Sequence, residues 1–314
     1  MKVIDLHCDV LYKLSIMDEL PPYEIADCLQ ANKNRLIAGE VQVQFFAIFI
    51  SPEVPQNEKF MAALRQIELF HTHVLAPNPE IVHITDWTQI EHLGENEIGA
   101  VLTLEGADAF GEDLGKLSAL LDAGVKLVGL TWNHANALAN GADEPSHLGL
   151  TPFGYEVVEM LNEHNVLIDV SHLNEQSFWD VVAQAKHSIA SHSNARSLCD
   201  HPRNLTDEQA EALVEKGGHI HVVYYPPFIH NEGNPVTLEH LMQHLTHFSK
   251  LVGVQHLGLG SDFDGISVFV EGLCDASDTQ NVVNILSRHF TEEEVRGITS
   301  NNFKNYIQKV IATS

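Results

Sequence analysis

Eight short apolar runs, separated by helix-length segments, constrain this chain more than any other feature. They are Val3–Leu6, Val41–Ile50, Gly99–Leu104, Lys126–Thr131, Val166–Val170, Ser188–Ser191, His219–Val223 and Leu257–Gly260. They are rich in Val, Ile and Leu and mostly lack strict alternation, as strands do when both faces of a parallel sheet are covered. Between them, Thr151-Pro152 reads as an N-cap followed by Pro at the first helical position. Thr206-Asp207-Glu208-Gln209 and Thr291-Glu292-Glu293-Glu294 fit capping boxes. Ala62–Leu75, Leu114–Ala123, Phe178–Ala185 and Leu238–Leu251 have helical apolar spacing. Strands alternating with helices in this way predict an α/β fold, a (β/α)₈ TIM barrel. A doubly wound open sheet is the alternative that strand count alone leaves open. The residues beyond a minimal barrel fall in an insertion around Leu11–Glu40, in loops at Pro226–Val236 and Phe263–Asp278, and in C-terminal helices at Val282–Leu286 and Glu293–Ile311. No repeat or linker divides the chain, so residues 1–314 are expected to form one domain.

Charge then narrows the function. With 17 Lys plus Arg against 43 Asp plus Glu, the formal net charge is −26. A phosphate backbone or an anionic membrane surface needs clustered cations, so neither is expected as a partner. Cys8, Cys28, Cys199 and Cys274 are scattered without a CxxC pair, which argues against a disulfide framework. The N-terminus meets charge at once at Lys2 and Asp5, and no apolar stretch exceeds about ten residues. A cytoplasmic protein is expected. Histidine is the anomaly: its 20 copies outnumber all permanent cations, and imidazole is the commonest metal ligand.

Active-site residues of such barrels sit at the C-terminal ends of strands. The first run is followed by His7-Cys8-Asp9, and the third ends at Glu105-Gly106. The fourth leads into Trp132-Asn133-His134, the fifth into Ser171-His172 and the sixth into His192-Ser193. The seventh leads into Tyr224-Tyr225 and the eighth into Ser261-Asp262-Phe263-Asp264. Metal-ligand residue types thus end five separate runs. His7 and Asp9, two apart, face the same way and can chelate one cation. His172 and His192, on neighbouring strands, can chelate another, and Glu105 can bridge. Two ions so held, roughly 3.5–4 Å apart, share an activated water, and Asp262 is left as its general base. The N/O ligand set suits zinc, with cobalt or manganese as alternatives. Each residue alone has a bland reading, and it is their shared placement that carries the case. Cys8 points the other way and reads as a small buried residue. Asp5, Asp108, Asp169 and Asp264 read as groups that orient ligands or cap turns. Phe45–Phe49 reads as core, and the histidines of helices and loops, among them His83, His201 and His244, carry no predicted role.

The motifs at these positions resemble the renal (membrane) dipeptidase family of the amidohydrolase superfamily. They are Asp5-Leu6-His7-Cys8-Asp9, Leu104-Glu105-Gly106, Leu150-Thr151-Pro152-Phe153-Gly154, Leu167-Ile168-Asp169-Val170-Ser171-His172, Ser191-His192-Ser193, Pro202-Arg203-Asn204 and Gly260-Ser261-Asp262-Phe263-Asp264-Gly265, in family order from residue 5 to residue 265. The resemblance implies a barrel with two zinc ions that hydrolyses small dipeptides, including those with a C-terminal D-residue. It implies that His7 and Asp9 hold one zinc, His172 and His192 the other, that Glu105 bridges, and that Asp262 is the acid/base. Arg203 would pair with the substrate carboxylate, as a planar guanidinium suits, and Tyr225 would assist. Homodimers are the habit of the family. The family's substrate-polarising histidine directly follows a Leu-Thr pair, whereas here Leu130-Thr131 is followed by Trp132-Asn133-His134. Either His134 fills that role from a shifted loop, or the role is Asn133's or lost. Two rival functions stay open: an amidohydrolase for another small amide or a lactone, and an inactive metal-binding interaction protein.

Overall fold

The computed structural model describes residues 1–231 and 235–313. All eight predicted runs form strands. They are β1 (Val3–Asp5), β2 (Val41–Phe49), β4 (Ile98–Glu105), β5 (Val125–Gly129), β6 (Leu167–Asp169), β7 (Ser188–Ala190), β8 (His219–Val222) and β9 (Leu257–Leu259). A short β3 (Ile81–His83) was not predicted. Pairing runs β2-β1-β9-β8-β7-β6-β5-β4, and β2 also pairs with β4, which closes a parallel eight-stranded barrel. β3 joins from outside, pairing with the first residues of β4 below the point where β5 takes over that edge. Closure excludes the open-sheet alternative.

Alternation along the strands divides the apolar residues into two cores. Ile4, Val43, Phe45, Val101, Leu127, Leu167 and Ile189 pack inside the barrel. Phe46, Ile48, Leu102, Val128, Ile168, Ala190, Ile220 and Leu259 face the surrounding helices. The helices begin where their caps say they should. Thr151 accepts from Gly154 N ahead of Pro152–Glu163, and the Thr206–Gln209 and Thr291–Glu294 boxes are reciprocal. The Leu11–Glu40 insertion contributes the helices Val10–Ser15 and Lys33–Ala38. Asp264 pins it to the barrel, accepting from Gln30 N at 2.8 Å, Ala31 N at 3.0 Å and Lys13 Nζ at 3.1 Å. The C-terminal segment is nearly continuous helix from Glu292 to Ala312, and its Phe303, Tyr306, Ile307 and Val310 seal the N-terminal end of the barrel interior. Of the predicted loop Pro226–Val236, residues 232–234 lie outside the described residues. Among the described residues no helix is long and apolar enough to cross a membrane.

Candidate metal centre and substrate cavity

A cavity of about 400 Å³ opens at the C-terminal end of the strands. Asp9, Glu105, His172 and Asp262 reach its wall, and Tyr12, Phe49, Trp132, Tyr225, Phe228 and Ile266 supply its apolar surface. His7 and His192 lie buried just beneath. Two of these residues are held in left-handed backbone, His172 at φ 70° and Asp262 at φ 66°. Side chains other than glycine rarely adopt that region, and when they do it is characteristically at functional sites. Gly265 lies against both carboxylates, since a Cβ there would run into Asp9 Oδ2 and Asp262 Oδ1.

The candidate ligand atoms converge. His7 Nε2 is 3.4 Å from Asp9 Oδ2, 3.6 Å from Glu105 Oε2 and 3.8 Å from Asp262 Oδ1. The other oxygen of Glu105, Oε1, is 2.8 Å from His172 Nε2 and 3.8 Å from His192 Nε2. Glu105 therefore presents one oxygen to His7 and the other to the histidine pair.

Hydrogen bonding fixes which nitrogens are bare. His172 Nδ1 donates to Asn133 Oδ1 at 2.7 Å, which leaves Nε2 with its lone pair. Ser191 Oγ gives its single proton to Asp169 Oδ2. It must then accept from His192 Nδ1, 2.7 Å away, so His192 Nε2 is bare as well. The two bare nitrogens face each other at 2.9 Å. Opposed lone pairs repel, and a shared cationic neighbour removes the repulsion. His7 Nε2 and Asp9 Oδ1 are buried and make no hydrogen bond, which a native structure tolerates at ion sites.

The charge balance points the same way. Burial, then the neighbouring Glu105 carboxylate, raises Asp9 to about 6. Burial pushes Asp262 well above the usual carboxylate range; Asp9 and Glu105 add to this against the pull of His7 and Arg203. Burial would also raise Glu105, but His7 and His172 hold it well below its ordinary value. Burial and then Arg203 lower His172 to about 4, and burial, His7 and Arg203 keep His192 neutral. Burial would lower His7, but Glu105 and Asp9 raise it well above its ordinary value, so a proton on His7 offsets part of the charge of three crowded carboxylates; His172 and His192 stay neutral, and the donor set fits divalent cations.

The remaining predicted residues divide. Asn133 and Tyr225 line the cavity, but Asn133's oxygen is committed to His172. His134 turns away: its side chain is 55% exposed, 3.9 Å from Glu144 and absent from the cavity wall. The reason is that Asn133, not His134, follows Trp132 into the site. Arg203 is only 4% exposed and does not itself line the cavity. Its guanidinium lies 5.4 Å from the Phe228 ring, Nη2 donates to His192 O at 3.4 Å, and Nε is buried without a partner. Cys8 is buried, as expected. Asp169 orients His192 through Ser191, whereas Asp5 holds the Ser261 turn at 2.7 Å from its N–H. Asp108 pairs with Lys59. Phe49 proves to be cavity wall rather than core. Tyr12, Asp143, His201, Phe228 and Ile266 carry no sequence signal, because they come from separate helix and loop segments after different strands.

The membrane dipeptidase model, peptidase family M19, matches residues 1–313. The chain belongs to this family. A Klebsiella pneumoniae protein described as uncharacterized, in the pqqA 5′ region, is 35% identical over 208 residues, covering 63% of this chain and 76% of that one. An uncharacterized dipeptidase of Schizosaccharomyces pombe is 28% identical over 96% of this chain and 78% of its own length. A Rhodobacter sphaeroides metallopeptidase, solved with a phosphinate mimic of L-Ala-D-Ala, superposes with a TM-score of 0.90 at 22% identity, covering 99% of each chain. The protein is thus a metallo-dipeptidase by family, on a (β/α)₈ barrel.

Proposed function

We propose that the chain hydrolyses the peptide bond of small dipeptides, those with a C-terminal D-residue included, at a two-zinc centre. The observation that supports this most directly is the opposed pair of bare imidazole nitrogens beside a glutamate whose second oxygen faces His7. His7 and Asp9 would hold one ion and His172 and His192 the other, with Glu105 reaching both. Bound divalent ions supply Lewis-acid charge that acidifies a water and polarises a carbonyl.

The protein's own groups do the rest. Asp262 lines the cavity within reach of His7 and accepts the proton of the attacking water. The water oxygen bonds to the carbonyl carbon and the C–N bond breaks. The raised affinity of Asp262 for a proton suits it to pass that proton to the leaving amine nitrogen. Asn133 and Ser191 hold His172 and His192 in the tautomers that leave Nε2 bare. Arg203, a buried guanidinium with no carboxylate partner among the described residues, reserves its charge for the substrate's free carboxylate. A cavity of about 400 Å³ suits a small molecule rather than a polypeptide.

The test is a substrate panel of L-L, L-D and D-D dipeptides alongside small lactones, with metal analysis of the same sample. Dipeptide turnover with two zinc ions per chain is expected. Turnover confined to lactones, or no turnover with the metal in place, would overturn the reading.

A further inference from the structure

His201 was given no role by its sequence, yet it stands on the cavity wall where Arg203 does not. The Arg203 backbone N–H donates to His201 Nδ1 at 3.1 Å. A backbone amide can only donate, so Nδ1 is the acceptor and the neutral ring carries its proton on Nε2. Burial, and then the Arg203 charge, lower the affinity of this ring for a second proton. The ring packs on Phe228 with centroids 4.5 Å apart, and the guanidinium of Arg203 lies over the same Phe228 ring. Among the described residues, Nε2–H has no hydrogen-bond partner, and neither has the buried Arg203 Nε. Two unspent donors thus flank one aromatic plate, one at the cavity wall and one behind it.

We propose that His201, through Nε2–H, is a second reader of the substrate's C-terminal carboxylate. It meets the carboxylate at the wall, while Arg203 supplies the charge from behind and, through its backbone, sets the imidazole tautomer. A neutral donor here has a consequence. It binds one carboxylate oxygen without adding a further charge beside His172 and His192, whose affinity for cations another positive group would lower.

The inference rests on the dipeptidase reading, and the test separates the two. His201→Asn keeps an acceptor where Nδ1 sits but removes the Nε2 donor, and His201→Gln places an amide N–H near the Nε2 position. Steady-state kinetics would be measured on the dipeptide that wild type turns over best and on its C-terminal amide, with thermal melts to confirm folding. For the free acid, His201→Asn is expected to raise KM about tenfold with kcat little changed, the size of one charge-assisted hydrogen bond. His201→Gln should recover most of that loss, and the effect of His201→Asn on KM for the amide should be several-fold smaller, because a neutral carbonyl accepts a weaker hydrogen bond than a carboxylate. Equal effects on acid and amide, or no effect on either, would overturn the role of His201 and leave the dipeptidase reading standing. Absence of dipeptide turnover in wild type would remove both.

Discussion

Each end of the barrel holds a cluster of three histidines, all buried at the C-terminal end and, at the N-terminal end, two buried with a third half-buried, and they use them in opposite ways. At the C-terminal end His7, His172 and His192 stand among Asp9, Glu105 and Asp262. Among the described residues, the groups of His and carboxylate ligand atoms within 4.8 Å of one another are His7–Glu105–His192 and His7–Asp9–Asp262, both at this end. At the N-terminal end His219, His221 and His256 pack as rings, with His219 5.7 Å from both His221 and His256 and 5.1 Å from Tyr306, and His221 5.6 Å from Phe303. Among the described residues no carboxylate forms an ion pair with that cluster. Gly258 on the neighbouring strand makes room for the His221 ring, which a Cβ there would strike. An imidazole becomes a ligand when carboxylates and proton acceptors strip and orient its lone pair. Without them it is a polar filler of the barrel, kept neutral by burial.

The contrast can be broken most sharply at Asp262. Asp262→Asn should retain its metal and lower turnover by about 10²–10⁴-fold, the scale of a lost general acid–base; metal analysis beside kinetics checks both halves. A weaker effect of the same kind is expected one layer out. Ser191→Ala removes the acceptor that fixes the His192 tautomer and should cost about 10–100-fold in metal affinity, read by chelator competition.

At the other end the predicted effect is on stability. Burial holds His221 down to about 3 and keeps His219 well below its ordinary value. The unfolded chain takes up these protons near pH 6.5 and the folded one does not. Their contribution is therefore intact above about pH 6.5 and is lost as pH falls toward 3. Between pH 7 and 5 that is on the order of 2 kcal/mol for His221 alone. Urea unfolding of His221→Leu should show a flatter pH dependence over this range, with metal content and turnover unchanged. The smallest effect belongs to His134: His134→Ala should leave kcat/KM within about twofold of wild type, because an exposed side chain outside the cavity carries little energy.

The barrel is legible because strands buried on both faces are written as continuous Val, Ile and Leu, and the side chains that the structure gathers at one end are legible because strand ends sit at fixed places in the chain. β3 escaped because three residues, Ile81–His83, make too short a run. The outcome at Asn133 and His134 turned on the path of one loop, which spacing does not record. The Asp169–Ser191–His192 chain was half legible: Asp169 was read as an orienting group, but the serine between was not. His219 and His221 were read only as strand, and their inward direction became visible once Ile220 and Val222 were seen to face the helices. His201 could not be read at all, since its meaning lies in a hydrogen bond from Arg203 and in a wall that several loops assemble.

The proposed centre places two divalent ions at the C-terminal end of the barrel and none among the histidines of the other end. Metal content by elemental mass spectrometry on wild type, His192→Ala and His221→Leu tests this directly. The account predicts two divalent ions per chain in wild type and in His221→Leu, and a loss in His192→Ala. One ion or fewer in wild type, or a loss on replacing His221 rather than His192, would contradict it.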